Sequence, residues 1–343
     1  MIKKIEIENF MQLKTQIIEF GSINIIAGVN DTGKTSLLKL LYSSIKAREE
    51  FIKQKKDNYI EHFSTKLLNV FDIDKLGDLV TKSEDTLKVD LYFKDKTSHY
   101  YSFSSKATKK IKDYSKIDNS SFKLKSIFLP PKEVLTIRKL IRTTVEEYNW
   151  KGGYDDTYYD LVKALDIPLA KGMLSKGFKE ADQELETSLQ GRIIQENNDF
   201  VFKKGKQKFS IALTAEGVKK IGIINQLLKN KVIDKNCVLI IDEPEVALHP
   251  NIMKKVAKIL YNLSKVGVQI FISTHSYFII KSFHLLAIEN ESDISFFNLE
   301  NIDNKININV SNLKNGMPTN EIVDSSIDMF EEENKIRIKK LGI

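Results

Sequence analysis

The chain has 343 residues, of which 42% are hydrophobic and 29% charged, with only 15 glycines and 6 prolines. These proportions suit one or two folded domains and exclude collagen-like and disordered chains. Lysine and arginine outnumber aspartate and glutamate by 53 to 46, a net charge of +7 that suits an anionic ligand without naming one.

The first forty residues read as strand, strand, loop, helix. Lys3 to Phe10 alternates apolar and polar, Gln16 to Phe20 is short and apolar, and Ile23 to Ala27 is a β-branched run ending at Gly28. A helix is predicted from Lys34, with Leu37, Leu38, Leu40, Leu41 and Ile45 on one face. From about Arg48 to Lys125 the pattern weakens into helix and strand fragments, including the alternating run Leu87 to Phe93, and is read as an inserted lobe too short for a coiled-coil arm. Ser126 to Leu129 is a strand stopped by Pro130 and Pro131, and Glu133 to Leu189 is mostly helical with a break at Gly152 and Gly153. Arg192 to Phe202 and Lys208 to Leu213 predict a hairpin around Lys203, Lys204 and Gly205. The last third alternates regularly: helix from Ala215 to Lys229, strand Val238 to Ile241, helix Asn251 to Lys265, strand Val268 to Ser273. Such alternation implies a parallel sheet. A helix near Phe278 to Leu286, a small β region from Ile294 to Val310 and a charged helix follow.

Cys237 is the sole cysteine and lies in an apolar run, so neither an internal disulfide nor a cysteine zinc site can form within one chain. A reducing, cytoplasmic setting is expected. The first eight residues alternate charge with isoleucine, and no apolar stretch reaches the ~18 residues of a membrane span, so secretion and a membrane partner are not expected. Basic clusters at Lys53, Lys55 and Lys56, at Lys106, Lys109, Lys110 and Lys112, and at Lys203, Lys204, Lys206 and Lys208 lack interleaved aromatics and read as solvated faces.

Three motifs carry chemistry. Gly28-Val29-Asn30-Asp31-Thr32-Gly33-Lys34-Thr35 matches the P-loop pattern, follows an apolar strand and opens a leucine-rich helix. Gly28, Asn30, Asp31, Thr32, Gly33, Lys34, Thr35 and Ser36 are the expected nucleotide-binding set. Loop amides and the helix N-terminus cradle phosphate, Lys34 reaches the β and γ phosphates, and the Thr35 hydroxyl meets Mg²⁺. Val238-Leu239-Ile240-Ile241-Asp242-Glu243 delivers two carboxylates at the end of a strand, where parallel sheets bind ligands. Asp242 is expected to hold Mg²⁺ and Glu243 to orient the attacking water. His275 ends a further β-branched strand, one helix and one strand later, where an imidazole can donate to a phosphate oxygen. The expected catalytic residues are thus Glu243, His275 and Lys34, with Thr35 and Asp242 on the metal.

The order P-loop, long insertion, helix, Asp242-Glu243-Pro244-Glu245-Val246-Ala247-Leu248-His249-Pro250, then Thr274-His275-Ser276 resembles the ABC-ATPase superfamily over nearly the whole chain. Within it the chain resembles SMC-type heads and the stand-alone AAA-type ATPases of OLD, Septu and PARIS-like systems. The resemblance implies an α/β fold: a P-loop NTPase of ABC/SMC-head type with a mostly parallel core sheet, an N-terminal antiparallel β subdomain and an inserted, mainly helical lobe. It divides the chain into a first core half (1–47), the insertion (48–190), a second core half (191–290) and a small β region with a helix (291–343). It further implies ATP and Mg²⁺ as cofactors and a homodimer, or higher homo-oligomer, sharing its ATP sites. The signature helix of such a dimer matches Leu213 to Lys220, which departs from the transporter sequence; Thr214, Gly217 and Lys219 would face the partner's γ phosphate. Thr214 reads equally as the N-cap of an ordinary helix. His249 reads as a turn or interface residue, and Lys132 and Glu133 occupy the place of the coupling loop without its glutamine.

A GTPase base reader is absent, since in Asn230-Lys231-Val232-Ile233-Asp234 the aspartate falls one residue late. The altered signature helix argues against a transporter subunit, and the segment after His275 has no Asp-x-Asp pair for a nuclease of OLD type. Two functions remain. The favoured one is an ATPase that regulates or assembles with a separate effector protein, as the antiphage-type resemblance implies. The other is an SMC-like ATPase that binds nucleic acid, whose binding would fall steeply with salt.

Overall fold

The computed structural model describes residues 1–54, 58–116, 122–148, 150, 152–197, 199–302 and 305–341, so Lys55 and Lys56 of the first basic cluster lie outside the described residues. β1 (Ile2–Phe10), β2 (Leu13–Glu19) and β3 (Ile23–Gly28) lead into α1 (Lys34–Gln54) and α2 (Tyr59–Phe71). β4 (Thr86–Phe93), β5 (Ser98–Ser104), β6 (Asp113–Tyr114) and β7 (Lys125–Leu129) precede α3 (Arg138–Glu146), α4 (Asp156–Leu165) and α5 (Lys176–Leu189). β8 (Arg192–Glu196), β9 (Asp199–Lys204) and β10 (Gln207–Ser210) are followed by α6 (Glu216–Lys229), β11 (Cys237–Asp242), α7 (Pro250–Lys265) and β12 (Gln269–Thr274). α8 (Tyr277–Glu289), β13 (Ser295–Ile302), β14 (Lys305–Asn312) and α9 (Glu321–Leu341) complete the order.

The central sheet runs β14-β13-β3-β12-β11-β7, parallel except at β14. Its inner strands are apolar on both faces, as the continuous runs Ile23 to Ala27 and Val238 to Ile241 require. Alternate residues feed two cores. Ile25, Leu239, Ile241, Ile270 and Ile272 face α4 to α8, while Ile26, Val238, Ile240 and Phe271 face α1, α2 and a second sheet. That second sheet is antiparallel, in the order β2-β1-β4-β5-β6. Gln269 ties it to the first: its carbonyl accepts from the Ile2 amide at 2.7 Å and its amide donates to Ile2 and Gly21 carbonyls at 2.8 and 2.9 Å.

The segment 48–190 divides between these layers. The alternating run Leu87 to Phe93 forms β4 and pairs with β1, because β1 and β2 alone are too few strands to bury a face. β7 closes the edge of the central sheet beside β11, and the helices α2 to α5 lie outside the sheets. The predicted hairpin at Arg192 to Leu213 is instead three strands, since a turn with Asn197 at φ 49° splits the first run and Ile211–Leu213 forms one 3₁₀ turn.

A buried ionic cluster fixes α2 and α4 to α1. The Lys66 ammonium lies 3.1 Å from Glu50, 3.2 Å from Asp156 and 3.0 Å from Asp160, and the Tyr42 hydroxyl donates to Asp160 at 2.9 Å. Burial alone would raise the Asp160 pKa; Lys66, Lys46 and Lys163 outweigh it and hold the carboxyl below its usual range. A carboxyl depressed in this way adds stability that is complete above the usual aspartate range and fades as pH falls below it. Lys39 of α1 also meets Asp155, the N-cap of α4, at 2.7 Å. Lys66→Met should therefore lower the unfolding free energy by about 3 to 5 kcal/mol in urea titrations, because it leaves three carboxylates together without their shared cation. A loss below about 1 kcal/mol would show that the cluster is not what anchors these helices.

Candidate functional site

Three neighbouring strands, β3, β12 and β11, end on the same edge of the central sheet, and each delivers one motif there. After β3 the chain turns at Gly28, whose φ is 149°. A Cβ at this position would stand 2.3 Å from the Leu299 carbonyl of β13, so this turn requires glycine. Asp31 is left-handed with φ 62°, Gly33 follows at φ 83°, and Lys34 opens α1. Asn30 and Asp31 are exposed, Ser36 and Thr35 half-buried, and Thr32 is buried with its hydroxyl donating to the Val29 carbonyl at 2.9 Å. The Lys34 ammonium is held inside the loop, donating to the Gly28 and Val29 carbonyls at 3.0 and 2.7 Å. Burial lowers its pKa, against the pull of Glu243, Asp242 and Glu245.

Asp242 lies at the end of β11 and is buried. The Thr35 hydroxyl donates to its two oxygens at 3.0 and 2.9 Å, and the Ser273 hydroxyl of β12 donates to Oδ1. Burial raises the Asp242 pKa, with Glu243 adding to it, while the Ser273 and Thr35 hydrogen bonds pull the other way. A hydroxyl and a carboxylate oxygen in contact form the donor set of a hard cation, and Mg²⁺ characteristically takes one or two such protein ligands and completes its shell with water and phosphate. Among the described residues no group of three His, Cys, Asp or Glu gathers to hold a metal alone.

Glu243 adopts φ 48°, a left-handed conformation that costs a non-glycine residue about 1 kcal/mol or more and collects at functional sites. The neighbours enforce it. Its amide donates to the Ser273 carbonyl and hydroxyl at 3.2 and 3.1 Å, and Lys220 of α6 donates to its carbonyl at 3.1 Å. Its carboxylate stands 3.5 Å from Nε2 of His275, and both side chains are about one-third exposed, at 32% and 29%. Burial and Lys34 lower the His275 pKa, opposed by Glu243, so the imidazole favours its neutral form. Glu245 steadies the histidine from behind, accepting from the His275 amide at 2.6 Å and the Thr274 hydroxyl at 2.8 Å, while its other carboxylate oxygen is buried with no hydrogen-bond partner. Burial pushes the Lys220 pKa down to about 8, against Glu245, Glu243 and Asp242.

The structure thus gathers Lys34, Thr35, Asp242, Glu243 and His275 at one place. The region of Thr214 and Gly217 is arranged differently from a simple cap. Ala215 is the N-cap of α6, and the Thr214 hydroxyl turns back to donate to the Ser210 carbonyl at 3.0 Å, so Thr214 does not cap the helix. Lys219 is buried and engaged by Glu216 at 2.8 Å and Glu133 at 3.4 Å. Gly217 packs against the loop after Glu243, where a Cβ would stand 2.9 Å from the Ala247 carbonyl. His249 caps α7, its Nδ1 accepting from the Asn251 amide at 3.3 Å. Lys132 and Glu133 line a small, largely aliphatic cavity of about 30 Å³ that also touches Lys220 and Asp242.

Ser273, Glu245 and Lys220 escaped the sequence reading. Ser273 had a signal, a polar residue directly after the apolar run Ile270 to Ile272 in a strand buried along its length. Lys220 had none, because a lysine on an amphipathic helix ordinarily points to water.

Comparison with known proteins sets this geometry in a family. The model of the AAA_21 family, described as "AAA domain, putative AbiEii toxin, Type IV TA system", matches residues 23–281. No curated protein sequence matches the chain. Among solved structures, an SMC head bound to the C-winged helix domain of ScpA aligns with a TM-score of 0.58 at 15% identity, over 92% of this chain and 98% of that one. The SMC head domain from Thermotoga maritima aligns with a TM-score of 0.51 at 12% identity, over 90% and 98%. An SMC head with an extended coiled coil, bound to the C-terminal domain of ScpA from Pyrococcus furiosus, aligns with a TM-score of 0.50 at 12% identity, over 97% and 99%. The chain therefore belongs to the AAA_21 family and is an ATP-hydrolysing P-loop NTPase with the fold of an ABC-type, SMC-like head.

Proposed function

We propose that this ATPase binds Mg²⁺-ATP at sites shared by two copies of the chain, hydrolyses it, and uses the cycle to regulate or assemble with a separate effector protein, in the cytoplasm and in bacterial antiphage defence. The observation that carries the reading is the contact of the Thr35 hydroxyl with the Asp242 carboxylate at 2.9 Å, beside Glu243 and His275.

In this account Thr35 and Asp242 would hold Mg²⁺, which when bound offsets charge on the phosphates. The P-loop amides and Lys34 bind the phosphates, with Gly28, Asn30, Asp31, Thr32, Gly33 and Ser36 shaping the cradle. Glu243, pinned through its backbone by Ser273 and Lys220, accepts a hydrogen bond from the attacking water and sets it in line. Neutral His275 donates an N–H hydrogen bond toward the γ phosphate or Glu243.

Support for a site completed by a second copy comes from the start of α6. Leu213 there is 85% exposed. A separate protein partner is supported by two of the similar SMC heads, which are bound to domains of ScpA. A defence role is supported by the resemblance to OLD, Septu and PARIS-like ATPases and by the toxin–antitoxin systems in the family description. Among the described residues no helix is long and apolar enough to cross a membrane.

Glu243→Gln should retain ATP binding and lose turnover by about 10²-fold or more, as expected for loss of a positioned base, measured by nucleotide binding and phosphate release in parallel. Turnover within a factor of two of wild type would remove Glu243 from the mechanism. Sharing of sites is tested by mixing. Lys34→Ala and Leu213→Asp should each be nearly inactive, and their equimolar mixture should recover roughly a quarter of wild-type activity, since mixed dimers keep one intact site. A mixture no more active than its components would place the whole site within one copy.

A further inference from the structure

The three-stranded sheet β10-β9-β8 has one face in the core and one in water. Ile193, Phe200 and Phe202 point into the core, and Gly222 of α6 lies so close that a Cβ there would stand 1.9 Å from the Ile193 side chain. Alternation along the strands therefore sends Arg192, Lys203 and Lys208 to the outer face. The register makes them a row, with Arg192 directly opposite Lys203 and Lys203 directly opposite Lys208. Lys206 lies in the two-residue turn between β9 and β10, and Lys204 ends β9 beside it. Along the chain, Lys203 to Lys208 is only a charged hairpin tip; the register selects alternate lysines and adds Arg192 from another strand.

Like charges directly opposite one another destabilise a sheet, and here three follow in succession. Acids do not offset them. Among the described residues Arg192, Lys203, Lys204 and Lys206 make no ion pair, and only Lys208 reaches a carboxylate, Glu196 at 2.6 Å. The acids of this face stand at its other end, where Glu196 lies opposite Asp199. Both are already met by lysines, Glu196 by Lys208 and Asp199 by Lys139 at 2.7 Å. The charge left over on the face is positive, so a second copy has nothing to offer it.

The row is about 10 Å long, two strand spacings. A duplex carries one phosphate per ~3.4 Å of axis on each strand, so the row spans about three phosphates of one backbone. No aromatic ring shares the face, since the next row is Ile194, Val201 and Ser210. Unpaired bases would find no stacking platform, and a protein partner none of the aromatic anchors that mark protein interfaces, where lysine is depleted. Phosphate contact remains, which positions a duplex without reading its sequence.

We infer that the outer face of β8, β9 and β10 binds the phosphate backbone of double-stranded DNA, without sequence preference, through Arg192, Lys203, Lys206 and Lys208. None of these residues belongs to the ATP site, so the inference stands apart from the effector proposed above.

The test is fluorescence anisotropy of the full chain, without nucleotide, on a labelled DNA duplex of about 30 base pairs. At about 50 mM salt the Kd should be micromolar, and log affinity should fall against log salt with a slope of about −3 to −4. Lys203→Gln/Lys206→Gln should weaken binding about tenfold or more and flatten the slope by about 2, with thermal unfolding and DNA-free ATP turnover unchanged. Lys254→Gln/Lys255→Gln removes the same charge from the exposed side of α7 and should leave affinity and slope as in the wild type. No binding to the duplex, a slope that the sheet variant does not alter, or an equal loss in the α7 variant would overturn the proposal. So would binding to phosphatidylserine vesicles with none to the duplex, which would make the face a membrane contact.

Discussion

A carboxylate taken out of water must be compensated, and at Asp242 the compensation comes from the first turn of α1 and from β12. Burial alone drives this group toward its neutral form, and the hydroxyls of Thr35 and Ser273 oppose that drive. Because Thr35 follows β3, Ser273 lies in β12 and Asp242 ends β11, the three hydrogen-bonded groups lock the ends of adjacent strands in register. The P-loop, the acidic pair and the histidine are brought to one edge by the same constraint. Parallel strands fed by right-handed crossovers make such an edge, and the site is where their carboxyl ends collect.

Ser273 joins two functions. Its hydroxyl donates to Asp242 and accepts from the Glu243 amide, so the residue proposed to hold the cation and the residue proposed to orient water share one support. The left-handed Glu243 is the cost of that arrangement, and the Lys220 and Ser273 contacts maintain it. Farther out, the Lys66 cluster and the Lys39 contact with Asp155 hold α2 and α4 on α1, the helix that starts at Lys34. These contacts tie α2 and α4 to the helix that begins at the P-loop.

Much of this was legible in the residues themselves. The P-loop, the run ending in Asp242 and Glu243, and the strand before His275 each pair a hydrophobic period with a polar terminus, and that combination marks both the element and the edge of the sheet where the motif stands. What stayed hidden depends on contacts distant in sequence. β4 joins β1 across some eighty residues, which alternation predicts as a strand but not as a partner. Thr214 precedes an acidic helix start as a cap would, yet its hydroxyl finds the Ser210 carbonyl instead, and Ala215 takes the capping position. Asn197 divides a run that reads as one strand, because a left-handed turn needs no glycine when asparagine supplies it.

The most direct test of the account is the Mg²⁺ dependence of ATP hydrolysis in Ser273→Ala. Removing the hydroxyl that orients Asp242 should raise the Mg²⁺ concentration for half-maximal turnover by about 10-fold or more, the usual effect of losing a group that supports a metal ligand. An unchanged Mg²⁺ requirement with unchanged turnover would mean that Asp242 is organised without Ser273, and would contradict the shared support on which the site is built.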